Sequence, residues 1–263
     1  MMYERALRPF GIEFKALRPD LILEGSPERC RSRLVVEDKN DKVYILELLK
    51  ENQTESREKI AETLRHISEL GFKEIKPYVY HDGFIHYNWM VQEYIEHIPL
   101  KRPDYISDLW RSEKLSDFLM RLRKIDVQEY SKLDYFDIKK YISEIQEKIE
   151  KNRPEIGNVT SSYARKAIKN LPDDLPISFC HGDFHPINIL WGEQEILSII
   201  DWEFCGYKPE IYDLANLMGC IGIENPKYLE SEFANMLINR LRQSYSERSF
   251  RYLNLYILFL FLR

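Results

Sequence analysis

The sequence predicts an α+β fold of two unequal lobes: a small N-terminal antiparallel β lobe carrying one helix, and a larger, mainly helical C-terminal lobe. Three observations point there. Short β-prone runs separated by turn residues fill roughly the first ninety positions, amphipathic helical stripes dominate the remainder, and a polar loop followed by a tight hairpin interrupts those helices around residue 190. With 263 residues, 44% hydrophobic and 13% aromatic, the chain can bury a core in each lobe. The division is expected at residue 95, giving lobes of 1–95 and 96–263.

Leu21-Ile-Leu-Glu24 and Arg33-Leu-Val-Val-Glu37 read as strands on either side of the loop Gly25 to Ser32, and Lys42 to Leu49 follows the polar turn Lys39-Asn-Asp-Lys42. A strand-loop-strand unit of this kind can fold over phosphates, with Gly25, Ser26 and Arg31 as contacts and Arg29 and Arg33 adding charge. With one glycine, an ordinary connecting loop fits as well. Ile60, Leu64, Ile67 and Leu70 recur at helical spacing ahead of Gly71, predicting a helix of about four turns on the sheet. Trp89 to Ile95 is a further strand, broken by Pro99.

In the second half, Leu115, Phe118, Leu119, Leu122 and Ile125 mark one helix, and Ile138, Tyr141, Ile142, Ile145 and Ile149 mark another with Asp137 as N-cap. Residues 152–162, with Pro154 and Gly157, read as a surface loop, and Leu229, Phe233, Met236, Leu237 and Leu241 mark a third helix. The apolar run 252–262 is expected to be a buried terminal helix or the mark of a fragment.

The chemistry concentrates in His181-Gly-Asp183-Phe-His185-Pro-Ile-Asn188 and the hairpin behind it, which ends at Asp201. Phosphoryl transfer from ATP needs a carboxylate facing the acceptor hydroxyl and oxygen ligands that hold Mg²⁺ against the phosphates. Asp183 and Asn188 are separated by four residues, the interval of the kinase catalytic loop, with glycine replacing its middle arginine. The hairpin should return Asp201 to Asn188, and these two meet the one or two protein oxygens that Mg²⁺ accepts. Asp183 is then expected to face an open cleft.

The stretches HGDFHPINILW (181–191), IIDWEFCGYKPEIYDLAN (199–216) and MVQEYIE (90–96) resemble the aminoglycoside phosphotransferase and choline kinase-like family of small-molecule kinases. The resemblance implies a bilobal protein kinase-like fold, with ATP and Mg as cofactors and a small-molecule hydroxyl as phosphate acceptor. It makes Asp183 the catalytic base and Asn188 and Asp201 the Mg²⁺ ligands. Asp213 becomes a buried partner of the catalytic loop, and His181 and His185 support that loop. The segment around Gln92 and Tyr94 becomes the hinge that contacts adenine, although a plain edge strand fits those residues equally well.

One position departs from the family. Where its strand has Lys or Arg, this chain has Glu47, which would repel phosphates unless neutralised. Three accounts stand: Glu47 paired with Arg57, Lys59 or Arg65 while one of these, or an arginine of 29–33, serves the phosphates; a slipped alignment in which Lys50 takes the role; or impaired nucleotide binding. The last would make the protein a nucleotide-binding or regulatory module.

A net charge of −5 supplies no basic footprint for nucleic acid or an anionic membrane. No stretch is apolar enough for a signal peptide or a membrane span, and four scattered cysteines read as the reduced thiols of a cytoplasmic protein. Glu203, Glu210, Asp213 and Glu224 follow the metal aspartate and would suit a cationic acceptor.

Overall fold

Turn chemistry and strand propensity build a four-stranded antiparallel sheet in chain order. Helix α1 (Met2–Leu7) precedes β1 (Phe14–Leu17), β2 (Ser32–Asp38), β3 (Val43–Leu48) and, after helix α2 (Thr54–Glu69), β4 (Trp89–Glu93). The structure is a computed structural model, and it describes residues 2–24, 30–126, 133 and 135–261. Taking these residues alone, the chain divides into two units. The first comprises 2–100, Leu133 and 186–203; the second comprises 101–126, 135–185 and 204–261.

The β2–β3 turn forms as its polar residues require. Asp38 accepts the amides of Asn40 (2.8 Å) and Lys42 (2.9 Å), and Asp41 takes a φ of 63°, which aspartate tolerates. Strand alternation then sorts the sheet's faces. Val36, Tyr44, Leu46 and Val91 pack against Leu7, Phe10 and Ile12. Arg33 and Glu47, cross-strand partners in the register, share the other face with Leu49 and Met90, which pack on Ala61 of α2. That helix buries Ile60, Leu64 and Ile67 as predicted, and Gly71 follows at a φ of 94°.

Leu21–Glu24 is not a strand; the strand beside β2 is β1, earlier in the chain. The ladder stops where Arg18 donates to Val35, because the chain turns there through a Leu21–Arg18 hydrogen bond (3.2 Å). Beyond it the backbone is held by side chains: Tyr94 Oη donates to the Ile22 carbonyl (3.2 Å) and Arg33 to that of Glu24. Gly25, Ser26 and Arg29 lie outside the described residues.

The second unit begins with α3 (Leu109–Leu122), α4 (Ile138–Asn152) and α5 (Pro154–Asn170), then strand β5 (Ile177–Cys180). Asp137 caps α4 by accepting the amides of Lys139 (2.9 Å) and Lys140 (3.1 Å). The loop expected over 152–162 is instead the start of α5. Pro154 occupies its first turn, where a missing N–H costs nothing, and a Cβ on Gly157 would lie 2.7 Å from the Glu150 Cα. Both residues are packing devices for the α4–α5 pair. The chain next contributes hairpin β6 (Ile189–Trp191) and β7 (Ile196–Ile199) to the first unit. It re-enters the second with β8 (Gly206–Pro209), antiparallel to β5, and closes with α6 (Tyr212–Glu224), α7 (Glu232–Arg242), α8 (Glu247–Phe250) and α9 (Leu253–Phe261). Helix α6 is buried over most of its length and packs on α9. Among the described residues no helix is long and apolar enough to cross a membrane.

Candidate active site

The loop after β5 is fixed from below by the first turn of α6. Asp213 accepts two consecutive amides, His181 N–H at 2.7 Å and Gly182 N–H at 2.9 Å, so one carboxylate holds the turn from which Asp183 projects. Burial raises the Asp213 pKa to about 6, while the two amides and Lys208 pull it down. Glycine at 182 is required twice over: its φ is 85°, and a Cβ there would lie 2.0 Å from the Phe204 carbonyl oxygen. This is why an arginine cannot stand between His181 and Asp183.

His181 is fully buried and its Nδ1 accepts the Asp183 amide at 3.1 Å, which places the proton of the neutral ring on Nε2. Asn216, one helical turn after Asp213, donates to the Phe184 carbonyl at 3.2 Å, and the Phe184 ring stacks on Phe118 with centroids 5.7 Å apart. Asn216 was not foreseen, although its i, i+3 spacing from Asp213 on one helix was a readable signal. The Asp183 side chain is 10% exposed, and His185 Nε2 lies 3.8 Å from its carboxylate.

In the first unit, Asn188 ends a short 3-10 turn directly before β6. The hairpin pairs Ile189 with Ile199, and Ile200 donates its amide to the Asn188 carbonyl at 2.9 Å, so the backbone at Asp201 returns beside Asn188. Asp201 sits at a φ of 63°, a left-handed conformation uncommon for a residue other than glycine. Among the described residues no cluster of three His, Cys, Asp or Glu side chains could hold a metal.

Glu47 is 8% exposed and its carboxylate pairs with Arg33 Nε at 3.0 Å, while Tyr78 Oη donates to it at 3.2 Å. Its ion-pair partner is thus the cross-strand arginine and not a helix residue. Arg57 of α2 pairs instead with Glu203 at 3.0 Å. Lys50 is exposed and lies past the end of β3. Arg31 is exposed as well. Tyr78 carried no sequence signal, since it sits in an aperiodic connection between α2 and β4.

Gln92, Tyr94 and Ile95 line a recess with Ile45, Leu190 and Ile200. The Gln92 amide donates to the Lys76 carbonyl at 2.8 Å, and the Tyr94 amide to Val43 at 2.9 Å. The four acidic residues expected to attract a cationic acceptor are engaged within the fold. Glu203 holds Arg57, Glu210 holds Arg123 (2.6 Å), Asp213 holds the loop amides, and Glu224 holds Arg102 (2.9 Å).

A family model described as the phosphotransferase enzyme family matches residues 31–253. No curated protein sequence matches. Among solved structures, an aminoglycoside-3'-phosphotransferase of type VIII is similar at 17% identity and a TM-score of 0.63, over 99% of this chain and 98% of that one. An amicoumacin kinase solved with AMP-PNP and Ca2+ is similar at 16% identity and a TM-score of 0.69, over 100% of this chain and 82% of that one. A choline/ethanolamine kinase family protein from Mesorhizobium loti follows at 18% identity and a TM-score of 0.66, over 99% and 83%. The likenesses show a common fold along nearly the whole chain, and with the family model spanning most of it, this chain belongs to the phosphotransferase enzyme family.

Proposed function

We propose that this enzyme transfers the γ-phosphoryl group of ATP to a hydroxyl of a small molecule, with Asp183 accepting the hydroxyl proton and Asn188 and Asp201 holding Mg²⁺. The observation that carries this reading is the loop anchored on Asp213, which fixes the turn bearing Asp183 by two short amide bonds. A general base must be held in place before its pKa matters.

The donor set suits magnesium. An amide oxygen and a carboxylate whose backbones the hairpin brings together are hard oxygen ligands, and two of them leave room for phosphate and water. The ion, when bound, offsets charge on the transferring phosphoryl group. The protein's own residues do the remaining work. Asp183 takes the proton, His181 and Asp213 hold the loop, and His185 sits against the base's carboxylate at 3.8 Å, where a shift of its ring would admit the acceptor. The recess beside Gln92 and Tyr94 is the place proposed for the adenine ring. Similar structures bear names of enzymes that act on aminoglycosides and amicoumacin. The acceptor class here extends to choline-like, homoserine-like and ketosamine-like hydroxyl compounds. Four cysteines without a disulfide agree with a cytoplasmic setting.

The test is turnover of Mg-ATP over a panel of such compounds. Asp183→Asn should lower kcat roughly 10²- to 10⁴-fold while nucleotide affinity is kept. A wild-type protein that binds Mg-ATP yet phosphorylates nothing would favour the regulatory module.

A further inference from the structure

The phosphates of a bound nucleotide need a protein cation, and the strand position that supplies it in kinases is here Glu47. The surroundings of Glu47 identify it as a fixed anion. Its two oxygens are taken by Arg33 Nε at 3.0 Å and Tyr78 Oη at 3.2 Å, and the register sets it directly opposite Arg33 on β2. On the first turns of α2, where the usual pair has its carboxylate, stands Arg57. Its Nη2 reaches Glu203 at 3.0 Å, with the two side chains 12% and 16% exposed, and Glu203 is two residues past Asp201. Burial opposes the charge on Arg57, but Tyr78, Glu47, Glu203 and Asp201 together hold the guanidinium ionised.

The charge balance supports an exchange of roles and not a loss. Arg33 and Arg57 against Glu47, Glu203 and Asp201 leave one net negative charge, the same as a lysine–glutamate pair beside one metal carboxylate.

We infer that the ion pair is transposed in this enzyme: Arg57 on the helix contacts the nucleotide phosphates, Glu203 orients it, and Arg33 neutralises the strand carboxylate Glu47. A guanidinium suits this double duty. It carries five N–H donors, more than one carboxylate takes, so it can hold Glu203 and a phosphate oxygen at once, which a lysine ammonium does with less geometric control.

The inference rests on the nucleotide-dependent function proposed above, and paired binding measurements separate the two. Affinities for Mg-ATP and for adenosine, which has no phosphates, are compared by calorimetry in wild type, Arg57→Gln and Arg57→Lys. Arg57→Gln should weaken Mg-ATP roughly ten- to hundred-fold, the span of a lost charge-assisted contact, with adenosine affinity kept as the control for folding. Arg57→Lys should lie between the two. Restoring the usual polarity with Glu47→Lys and Arg57→Glu together should recover Mg-ATP binding relative to Arg57→Glu alone. Arg57→Gln binding Mg-ATP as wild type does, or losing ATP and adenosine equally, overturns the transposition and leaves the kinase reading intact. A wild type that binds Mg-ATP no tighter than adenosine overturns both.

Discussion

A carboxylate as buried as Asp213 is retained because the two amides it accepts would otherwise be left unsatisfied in the interior. Its titration follows from that position. Burial raises its pKa from 3.8 to about 6, so between those values the folded chain keeps a proton that the unfolded chain has released. The protein should therefore lose stability as pH rises from about 4 to about 6, and the loss should be complete above that window, amounting to roughly 3 kcal/mol for a shift of about two units. Denaturant unfolding of wild type and Asp213→Asn across pH 4–7 checks this. The wild-type value should fall relative to the variant through the window, and parallel curves would show that Asp213 titrates as an ordinary carboxylate. At this scale the hairpin that returns the backbone at Asp201 to Asn188 was legible from its turn residues and short apolar runs. Tyr78 and the pairing of Arg57 with Glu203 were not, since each joins distant segments and leaves no periodic trace.

Among the elements, helices with a continuous apolar stripe were readable to within a few residues, as α2 and α4 show. The failures came from residues that carry two meanings. Pro154 and Gly157 break helices in general, but here one starts α5 and the other lets α4 approach it closely. Leu21–Glu24 has strand propensity, yet the turn at Arg18 removes it from the ladder, and propensity without a hydrogen-bonding neighbour does not make a strand. The cap on α4 gives a direct test of local determinants. Asp137→Ala leaves the first amides of that helix without their acceptor and should cost about 1 kcal/mol, read as a lower denaturation midpoint with an unchanged m-value.

For the molecule as a whole, the antiparallel sheet and the mainly helical remainder match the expected α+β organisation, while α1 adds a second helix to the sheet that the sequence reading did not include. Among the described residues the first unit draws on three separate segments of the chain, a division that no local sequence pattern announces. A ligand that binds only the folded protein adds stability by mass action, about 2.7 kcal/mol at a hundredfold excess over its Kd. Mg-ATP should accordingly raise the melting temperature, and Asp201→Asn should abolish the increment that magnesium adds to ATP alone. An Asp201→Asn protein with the full magnesium increment would remove that residue from the ligand set. The close approach of Gly182 to Phe204 has a further bearing. The polypeptide departs toward β6 and comes back after β7 at nearly the same point, so the excursion resembles a domain inserted between fixed anchor points. Extra residues grafted at its tip, between Gly192 and Glu195, would lengthen the turn that the β6–β7 pairing closes, and the cost of closing a flexible loop grows only logarithmically, by about 0.6 kcal/mol per doubling of its length. That turn is the natural site for tags, probes or length variation in engineered versions of this scaffold.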